Sequence, residues 1–579
     1  MTPRRILPLW WTFLIALVCW SSPTLAQSGS DIIRGRVTGP DSQPIQNVQV
    51  KATSYSGSVT KSARTDRNGR FTIIFVNGEG DYWLEFAALG YVPKRFEIKK
   101  VGEEEVMLAD TRMASSIATL DQVNVTANGA RALPNRNAGN TDVGGGERAL
   151  TTGAAVPPDQ AGNLSAMAAS IPGIQLIPGM DGASDMFSAL GLSGDQNNTN
   201  FNGLGSGLNT LPPDAQVRLS FNQFPWDVSR GGFSGAQVSI QSIPGSNFSF
   251  RNQSAYGTAP ELQWTDAEAD SSGQKSTTLR YGGGARGPIA MDKAFYNAAY
   301  SYQRRFADAL TLLNASPVGL AAAGVASDSV TRLLDILGQQ KVPVSVAKTP
   351  SLNATDQLSL QTNIDLTPSS SGAGHSFTLG TNGFYSKTRP TLGGFGNGSL
   401  LTTVPSRTNN NEIMLGSASL RHSNYFWFGI LSQTNLGVSA QRVESTPFLQ
   451  YPSGTVRVNS TLEDGSSSIR SLSFGGSQTP FSQLTQALQL SNTLSWYSGN
   501  NKHAIKLTSN LSREHNTNEA NSNLLGSYSF NSLADLEAGR PASYTRTLNG
   551  ITGATDQLSG GISLGDAWRP TARLQVQYG

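Results

Sequence analysis

From Ser246 to Gly579 the chain repeats one pattern: short runs of alternating polar and apolar residues, cut by Gly, Asn, Asp or Ser. Period-two alternation marks a strand with two unlike faces, because successive side chains point to opposite sides of the pleat. The clearest run is Thr485 to Trp496. Leu488, Leu490, Leu494 and Trp496 share one face, and Thr485, Gln489, Ser491, Thr493 and Ser495 the other. Ile505, Leu507 and Leu511 then alternate with Lys506, Thr508 and Asn510. Near the end Ile562 and Leu564 flank Ser563, and Leu574, Val576 and Tyr578 alternate with Gln575 and Gln577. Two architectures fit: a soluble sandwich, or a membrane barrel whose apolar face meets lipid and whose polar face lines a lumen. Only 14% of residues are charged, against about 25% in soluble domains. Aromatic residues such as Tyr296, Tyr300, Trp427, Trp496 and Trp568 sit near strand ends, as in the interfacial girdles of a barrel. The barrel is the expected answer.

The N-terminus carries a basic start, Arg4 and Arg5, an apolar run from Ile6 to Trp20, and Thr24-Leu25-Ala26. This is the layout of a secretory signal peptide cleaved near Ala26. The alternative, a single membrane anchor, needs roughly 20 apolar residues, more than this run supplies. The net charge of +3 falls to +1 without Arg4 and Arg5. A nearly neutral chain gives no reason to expect a nucleic-acid partner. The only cysteine, Cys19, lies inside the leader, so the mature chain has no disulfide, thiolate metal site or cysteine nucleophile. Val18 and Trp20 around it argue against a lipoprotein site. After Gln27 no apolar stretch is long enough for a transmembrane helix.

Residues 31–109 read as a separate small unit of about seven short strands, an immunoglobulin-like β-sandwich. Asp66-Arg67-Asn68-Gly69 is a turn signal ahead of the strand Phe71 to Phe75. The octet LDQVNVTA at 120–127 alternates like a strand but has no neighbour to pair with. Residues 128–160 are rich in Gly, Ala and Asn and read as a linker. Residues 161–245 form another unit, with helical spacing at Leu164, Met167, Ala168 and Ile171 and a break at Pro172-Gly173. One helix interrupts the later strands: Ser327 or Asp328 reads as its N-cap, Val330, Leu333, Leu334 and Leu337 as its apolar face, and Gly338 as its C-cap. Its position, within 307–352, predicts a helix packed in an extracellular loop.

Enzyme signatures are weak. None of His375, His422, His503 and His515 lies in a zinc-peptidase spacing. Gly561-Ile562-Ser563-Leu564-Gly565 sits in an alternating strand with no helix after it, unlike a nucleophile elbow. Gly282-Gly283-Gly284-Ala285-Arg286-Gly287 runs into Pro288 and another strand, so it reads as a barrel turn, not a dinucleotide loop. Asp195 to Asn200 lacks the turn glycine of a calcium loop. No catalytic residue, metal or cofactor is expected.

Gly35-x-Val37, Pro44-Ile45-x-Asn47-Val48-x-Val50, Thr65-Asp66-x-x-Gly69-x-Phe71 and Ala88-x-Gly90-Tyr91 resemble the carboxypeptidase regulatory-like family. Such modules are accessory, and some relatives bind glycans. The order of leader, sandwich, lone strand, compact unit and long alternating region resembles a TonB-dependent outer-membrane receptor of the Oar-like or SusC-like branch. Asp121, Val123, Val125, Thr126 and Ala127 match its TonB box. Residues 161–245 resemble its plug domain, with Pro172-Gly173-Ile174 and then Gly194, Asn198 and Gly203 at motif positions. Ser193 departs from the usual Arg, and Val217-Arg218-Leu219 matches the later plug element only loosely. The segments at 283–305 and 564–579 resemble the first hairpin and a mid-barrel turn of Oar-like barrels.

The resemblance implies a mostly β fold: an N-terminal immunoglobulin-like sandwich, a plug, and a partial antiparallel transmembrane β-barrel from 246 to 579. It implies a Gram-negative outer-membrane location, with lipid around the barrel and the sandwich and plug on the periplasmic side. The lone strand would add to a sheet edge of the periplasmic TonB protein. A glycan, peptide or metal chelate would be the substrate, and a surface lipoprotein a further candidate partner. Two other readings stay open: a non-transporting adhesin or matrix- or carbohydrate-binding receptor, and a secreted glycan-binding β protein. About a dozen strands are counted after Ser246, against 22 in the family's barrel, so the chain is expected to be part of a longer protein.

Overall fold

The structure, a computed structural model, describes residues 31–115 and 148–579, less internal stretches of which the longest are 152–161, 178–184, 223–236, 263–275, 367–374 and 392–399. The expected signal peptide and the octet 120–127, with Asp121, Val123, Val125, Thr126 and Ala127, lie outside the described residues.

The first unit is a two-layer sandwich. Its strands are β1 (Asp31–Thr38), β2 (Gln49–Ser54), β3 (Thr60–Arg64), β4 (Arg70–Phe75), β5 (Asp81–Ala87), β6 (Lys94–Lys99), β7 (Val106–Leu108) and β8 (Thr111–Arg112). One sheet runs β4-β1-β7 with β8 also on β1; the other runs β3-β2-β5-β6. Ile33, Val37, Val50, Ile73, Leu84 and Phe86 are buried between them. The strand β8 and buried Met113 carry the unit past Ala109, further than periodicity alone reached. The predicted turn is built as its residues require: the Asp66 carboxylate accepts the backbone N–H groups of Asn68 and Arg70, each at 2.8 Å. Asp31 is buried and satisfied by the Gly80 N–H, the Tyr82 hydroxyl and the Lys100 ammonium.

The second unit comprises β9 (Arg148–Thr151), the helix Leu164–Ala169, β10 (Ile174–Ile177), β11 (Met186–Ala189), β12 (Asn198–Phe201), β13 (Leu204–Gly205), β14 (Val217–Asn222) and β15 (Gln237–Ser242). Five of its strands form a sheet in the order β13-β12-β15-β14-β9, and β10 pairs with β11. The Asn163 side chain caps the helix by accepting the N–H groups of Ser165 and Ala166. The strand β9 falls inside the stretch predicted as linker. Its four residues are too few for alternation to show, and its pairing with β14 lies far along the chain.

The third part is one antiparallel sheet of β16 (Phe250–Thr258), β17 (Ser276–Ala290), β18 (Ala294–Asp308), β19 (Leu352–Leu366), β20 (His375–Thr391), β21 (Asn409–Phe426), β22 (Ile430–Pro447), β25 (Phe481–Tyr497), β26 (His503–Ala520), β29 (Ile551–Thr571) and β30 (Leu574–Tyr578). The strands pair in chain order, up and down. The segment at 283–305 spans the β17–β18 hairpin; β16 pairs ahead of it, so it is the second hairpin of this sheet and not the first. The connections alternate strictly. They are short at 291–293, 367–374, 427–429, 498–502 and 572–573, and long at 259–275, 309–351, 392–408, 448–480 and 521–550. All short connections therefore lie at one end of the strands and all long ones at the other.

The faces of this sheet are reversed relative to a soluble sandwich. On β25, Thr493 and Ser495 are 0% and 1% exposed, while Leu488 and Trp496 are 48% and 44% exposed. The same holds on β19, where Gln361 and Asn363 are buried and Leu358 and Leu360 exposed. Toward the long connections the outward face turns ionic: Arg304 pairs with Asp356 at 3.1 Å, Lys387 with Glu412 at 3.1 Å and Arg513 with Asp556 at 2.9 Å.

The long connections fold together. β23 (Ser453–Thr461), β24 (Ser467–Gly475), β27 (Ser527–Phe530) and β28 (Ser543–Thr545) make a sheet in the order β24-β23-β27-β28. The helix Ser327–Gln339 lays Val330, Leu333, Ile336 and Leu337 against it, with Leu536 of the helix Leu533–Glu537. Its N-cap is Ala326, not Ser327 or Asp328, and Gly338 lies within it. The left-handed turn that ends it falls on Lys341, at φ 57°, and is closed by the Val342 N–H donating to the Leu337 carbonyl at 2.9 Å.

One buried charge in the sandwich tests its packing. The Lys61 ammonium is buried, donates to the Ile74 carbonyl at 2.8 Å and lies 5.5 Å from the Phe75 ring centroid. Burial lowers its pKa from 10.5 to about 8. Between those values the unfolded chain holds a proton that the folded one has released, so stability rises with pH across that window. The rise is on the order of 3 kcal/mol. We expect Lys61→Met to raise the urea midpoint of the sandwich at pH 7 and to abolish its rise between pH 8 and 10.5.

Candidate functional site

The second unit sits on the inward, polar face of the long sheet, through polar pairs and through Ala299 and Leu415, which pack against its apolar core. Asn202 is the hinge of that contact. It stands at φ 51° between β12 and β13, a left-handed position that Asn tolerates better than most residues. Its side chain accepts the Ser242 N–H at 3.0 Å and donates to the hydroxyl of Ser242 at 3.2 Å and to Asn363 Oδ1 at 3.4 Å. Gln361 donates to the same Ser242 hydroxyl at 3.2 Å. Asn297 donates to the Ile243 carbonyl at 2.9 Å. The fully buried guanidinium of Arg421, on β21, donates to the Asn202 carbonyl. At the β16 side, the Asp214 carboxylate accepts from Asn252 and from Ser254, each at 2.5 Å.

Close approach is needed for these bonds, and the wall provides it. A Cβ on Gly284 would lie 2.7 Å from the Asp214 carbonyl oxygen, and one on Gly437 would lie 2.3 Å from Leu204 Cδ1. Gly284 belongs to the glycine run that superficially matches a dinucleotide motif. The run lies wholly within β17, as does Gly561 to Gly565 within β29, so neither has the strand–turn–helix setting its motif requires. Among the described residues no group of three or more His, Cys, Asp or Glu is placed to hold a metal.

The sandwich meets the sheet at the short-connection end. Ile32 is aligned with Ile74 on one side and Val106 on the other. This row lies on the side of its sheet away from the sandwich core, and it packs against Tyr425, Leu431, Tyr497 and Ala504. Beside it Arg34 is 3% exposed, donates to the Ser498 carbonyl at 2.9 Å and lies 5.7 Å from the Tyr497 ring centroid. β1 is therefore buried on both faces, which explains its unbroken apolar start, Ile32-Ile33.

Of the positions singled out in sequence, Gly173 takes φ 87° and feeds β10, Gly194 opens a short 3-10 turn and Asn198 begins β12. Pro172 and Gly203 lie outside the described residues. The three described positions flank β10, β11 and β12. Asn202, Asp214, Asn297, Gln361, Asn363 and Arg421 were missed. For Asn297, Gln361, Asn363 and Arg421 the one signal is a large polar residue at the inward parity of a strand; Asn202 and Asp214 lie outside the strands and carry no such signal.

Residues 32–114 match the carboxypeptidase regulatory-like domain family. No curated protein matches the chain. Among solved structures, the outer membrane transporter YddB from Escherichia coli aligns at a TM-score of 0.48 and 12% identity, over 72% of this chain and 53% of that one. The ferric enterobactin receptor PfeA from Pseudomonas aeruginosa aligns at 0.43 and 10%, over 75% and 61%. The ferric yersiniabactin uptake receptor FyuA from Yersinia pestis aligns at 0.41 and 10%, over 74% and 62%. The chain spans 53% of the first of these and 61% and 62% of the others.

Asn202→Gly keeps the left-handed backbone and removes the side chain, leaving the buried Ser242 N–H without its acceptor. That loss costs about 1–3 kcal/mol. Hydrogen exchange is expected to quicken at β12 and β15 and to stay unchanged in β25 and β26. Residues 32–114 thus form a unit similar to the carboxypeptidase regulatory-like domain family, and a compact unit follows that is seated on the polar face of a long up-and-down sheet.

Proposed function

We propose that the chain is a TonB-dependent outer-membrane receptor that takes a scarce or large substrate into the periplasm. The observation that carries this is the reversed sheet. Aliphatic and aromatic side chains on the outward face suit lipid, and the buried amides and hydroxyls suit a lumen filled by a folded plug. No helix of the described residues is long and apolar enough to cross a membrane, so strands would do so. Short periplasmic turns and long outer loops are the usual polarity of such barrels. With that polarity the sandwich, docked at the short connections, faces the periplasm.

The second unit, 161–245, is then the plug. Asp121, Val123, Val125, Thr126 and Ala127 form the TonB box between sandwich and plug. Its backbone would pair with a sheet edge of TonB, which grips any receptor in the same way whatever the substrate. The substrate class, glycan, peptide or metal chelate, would be set by the loop layer and the outer face of the plug.

A non-transporting adhesin is the second reading, and the shared core of the long connections favours it, because a rigid outer layer also suits static recognition. Two measurements decide. Heat-modifiable migration of the detergent-extracted protein is expected, and its absence removes the barrel. Val123→Pro or Val125→Pro deletes a strand donor and is expected to abolish both binding to the purified periplasmic domain of TonB and substrate uptake. Unchanged binding in both variants removes the TonB box and leaves the adhesin.

A further inference from the structure

We propose that the outer face of the sheet β3-β2-β5-β6 is a docking surface for the cell-wall polymer, a glycan strand that bears peptide carboxylates. This rests on the receptor reading for the side of the membrane on which the sandwich stands. The sandwich has two outer faces. One carries Ile32, Ile74 and Val106 and is packed against the short-connection end of the long sheet. The other belongs to the opposite layer and is turned away from the long sheet. Lipid lies on the docked side, and the turned-away face looks into the periplasm.

The strand registers fix what that face displays. Val50, Ala52, Leu84, Phe86 and Ile98 point into the core, so their neighbours along each strand point out. Ser62, Lys51, Glu85 and Arg95 form one row across the four strands, and Thr60, Thr53, Trp83 and Glu97 the next. Lys99 lies beyond, opposite Asp81, and pairs with Glu97 at 3.2 Å. Lys51 and Arg95 flank Glu85 in register, yet neither forms an ion pair with it or with any other carboxylate among the described residues. The Arg95 guanidinium lies instead over the Trp83 ring, 4.8 Å from its centroid.

Stacking of this kind holds the guanidinium plane and leaves its forked N–H groups at the rim, the geometry that takes a carboxylate through two hydrogen bonds. Glu85 does not keep Arg95 from such a ligand, because an exposed pair contributes little. Tyr55, 61% exposed, stands just past the end of β2, with the Lys99 ammonium 6.0 Å from its ring centroid. The face thus repeats one device, a cation held over an aromatic ring. The open Tyr55 ring offers an apolar surface to a sugar, and Arg95 and Lys51 meet carboxylates. A polymer that carries both groups engages the whole face. A phospholipid headgroup supplies the charge without the sugar ring, and a neutral glycan the reverse.

Co-sedimentation of the purified full chain, in detergent micelles, with isolated cell-wall sacculi tests this. The wild-type chain is expected to sediment and to be released as salt is raised, because exposed charges are screened. Arg95→Ala is expected to raise the half-saturating amount of sacculi about tenfold, the scale of one charge-assisted contact. Arg67→Ala, which removes an exposed cation from the turn before β4, is expected to leave it unchanged. Sacculi whose carboxylates have been converted to amides are expected to lose the wild-type chain, a result that depends on no variant. No sedimentation of the wild-type chain, an unmoved Arg95→Ala, an equal loss in Arg67→Ala, or undiminished binding to amidated sacculi overturns the docking surface and leaves the receptor reading standing. Orientation is measured apart. Cys19 is the only cysteine and lies in the expected leader, so Asn68→Cys supplies a single label site on the sandwich. A membrane-impermeant maleimide is expected not to label it in intact cells. Labelling there removes the periplasmic placement, and the docking surface with it.

Discussion

The arrangement depends on one inversion: polar side chains of a long sheet point inward and apolar ones outward. Buried amides and hydroxyls are costly unless something answers them. The compact unit answers four of them, Asn297, Gln361, Asn363 and Ser254, with the side chains of Asn202, Asp214 and Ser242 and the carbonyl of Ile243. The two parts are therefore coupled by hydrogen bonds as well as by the small apolar contact at Ala299 and Leu415. Such bonds contribute little net free energy each, but leaving one unmade is expensive. The result is an interface that is specific in register.

The apolar cores are correspondingly separate. One lies in the sandwich, one in the second unit, where Ala299 of β18 joins the cluster, and one in the outer layer formed by the long connections. The outer layer has elements from four connections that are remote in sequence, and ties such as the Gln340 side chain donating to the Leu536 carbonyl at 2.7 Å join them. Long loops with a core of their own do not move independently. Whatever they recognise, they present it with one surface.

Much of this was legible in sequence, and the reason is period. Alternation is a local property, so the face assignment along Thr485 to Trp496 holds at Thr493, Ser495, Leu488 and Trp496 alike. Turn chemistry is also local, and Asp66 and Gly69 behave as read. Contacts between remote strands were not legible. The row Ile74–Ile32–Val106 exists only once β1 has been paired with β4 on one side and β7 on the other, and three aliphatic residues far apart in sequence carry no mark of that. The strand β9 was lost for the same reason. Arg421 was invisible because an inward arginine on an alternating strand reads as one more polar residue until the second unit is set against it.

Polarity ties the parts together. Connection length separates the two ends of the sheet, and the sandwich lies at the short end while the outer core lies at the long one. The outward ionic pairs Arg304–Asp356, Lys387–Glu412 and Arg513–Asp556 lie toward the long end, and His503 pairs with Asp566 at the short end. Ion pairs on a face that meets hydrocarbon would be costly, whereas at a headgroup boundary they are solvated. Connection length and the docking of the sandwich are independent features of the chain, and both distinguish the same two ends of the sheet.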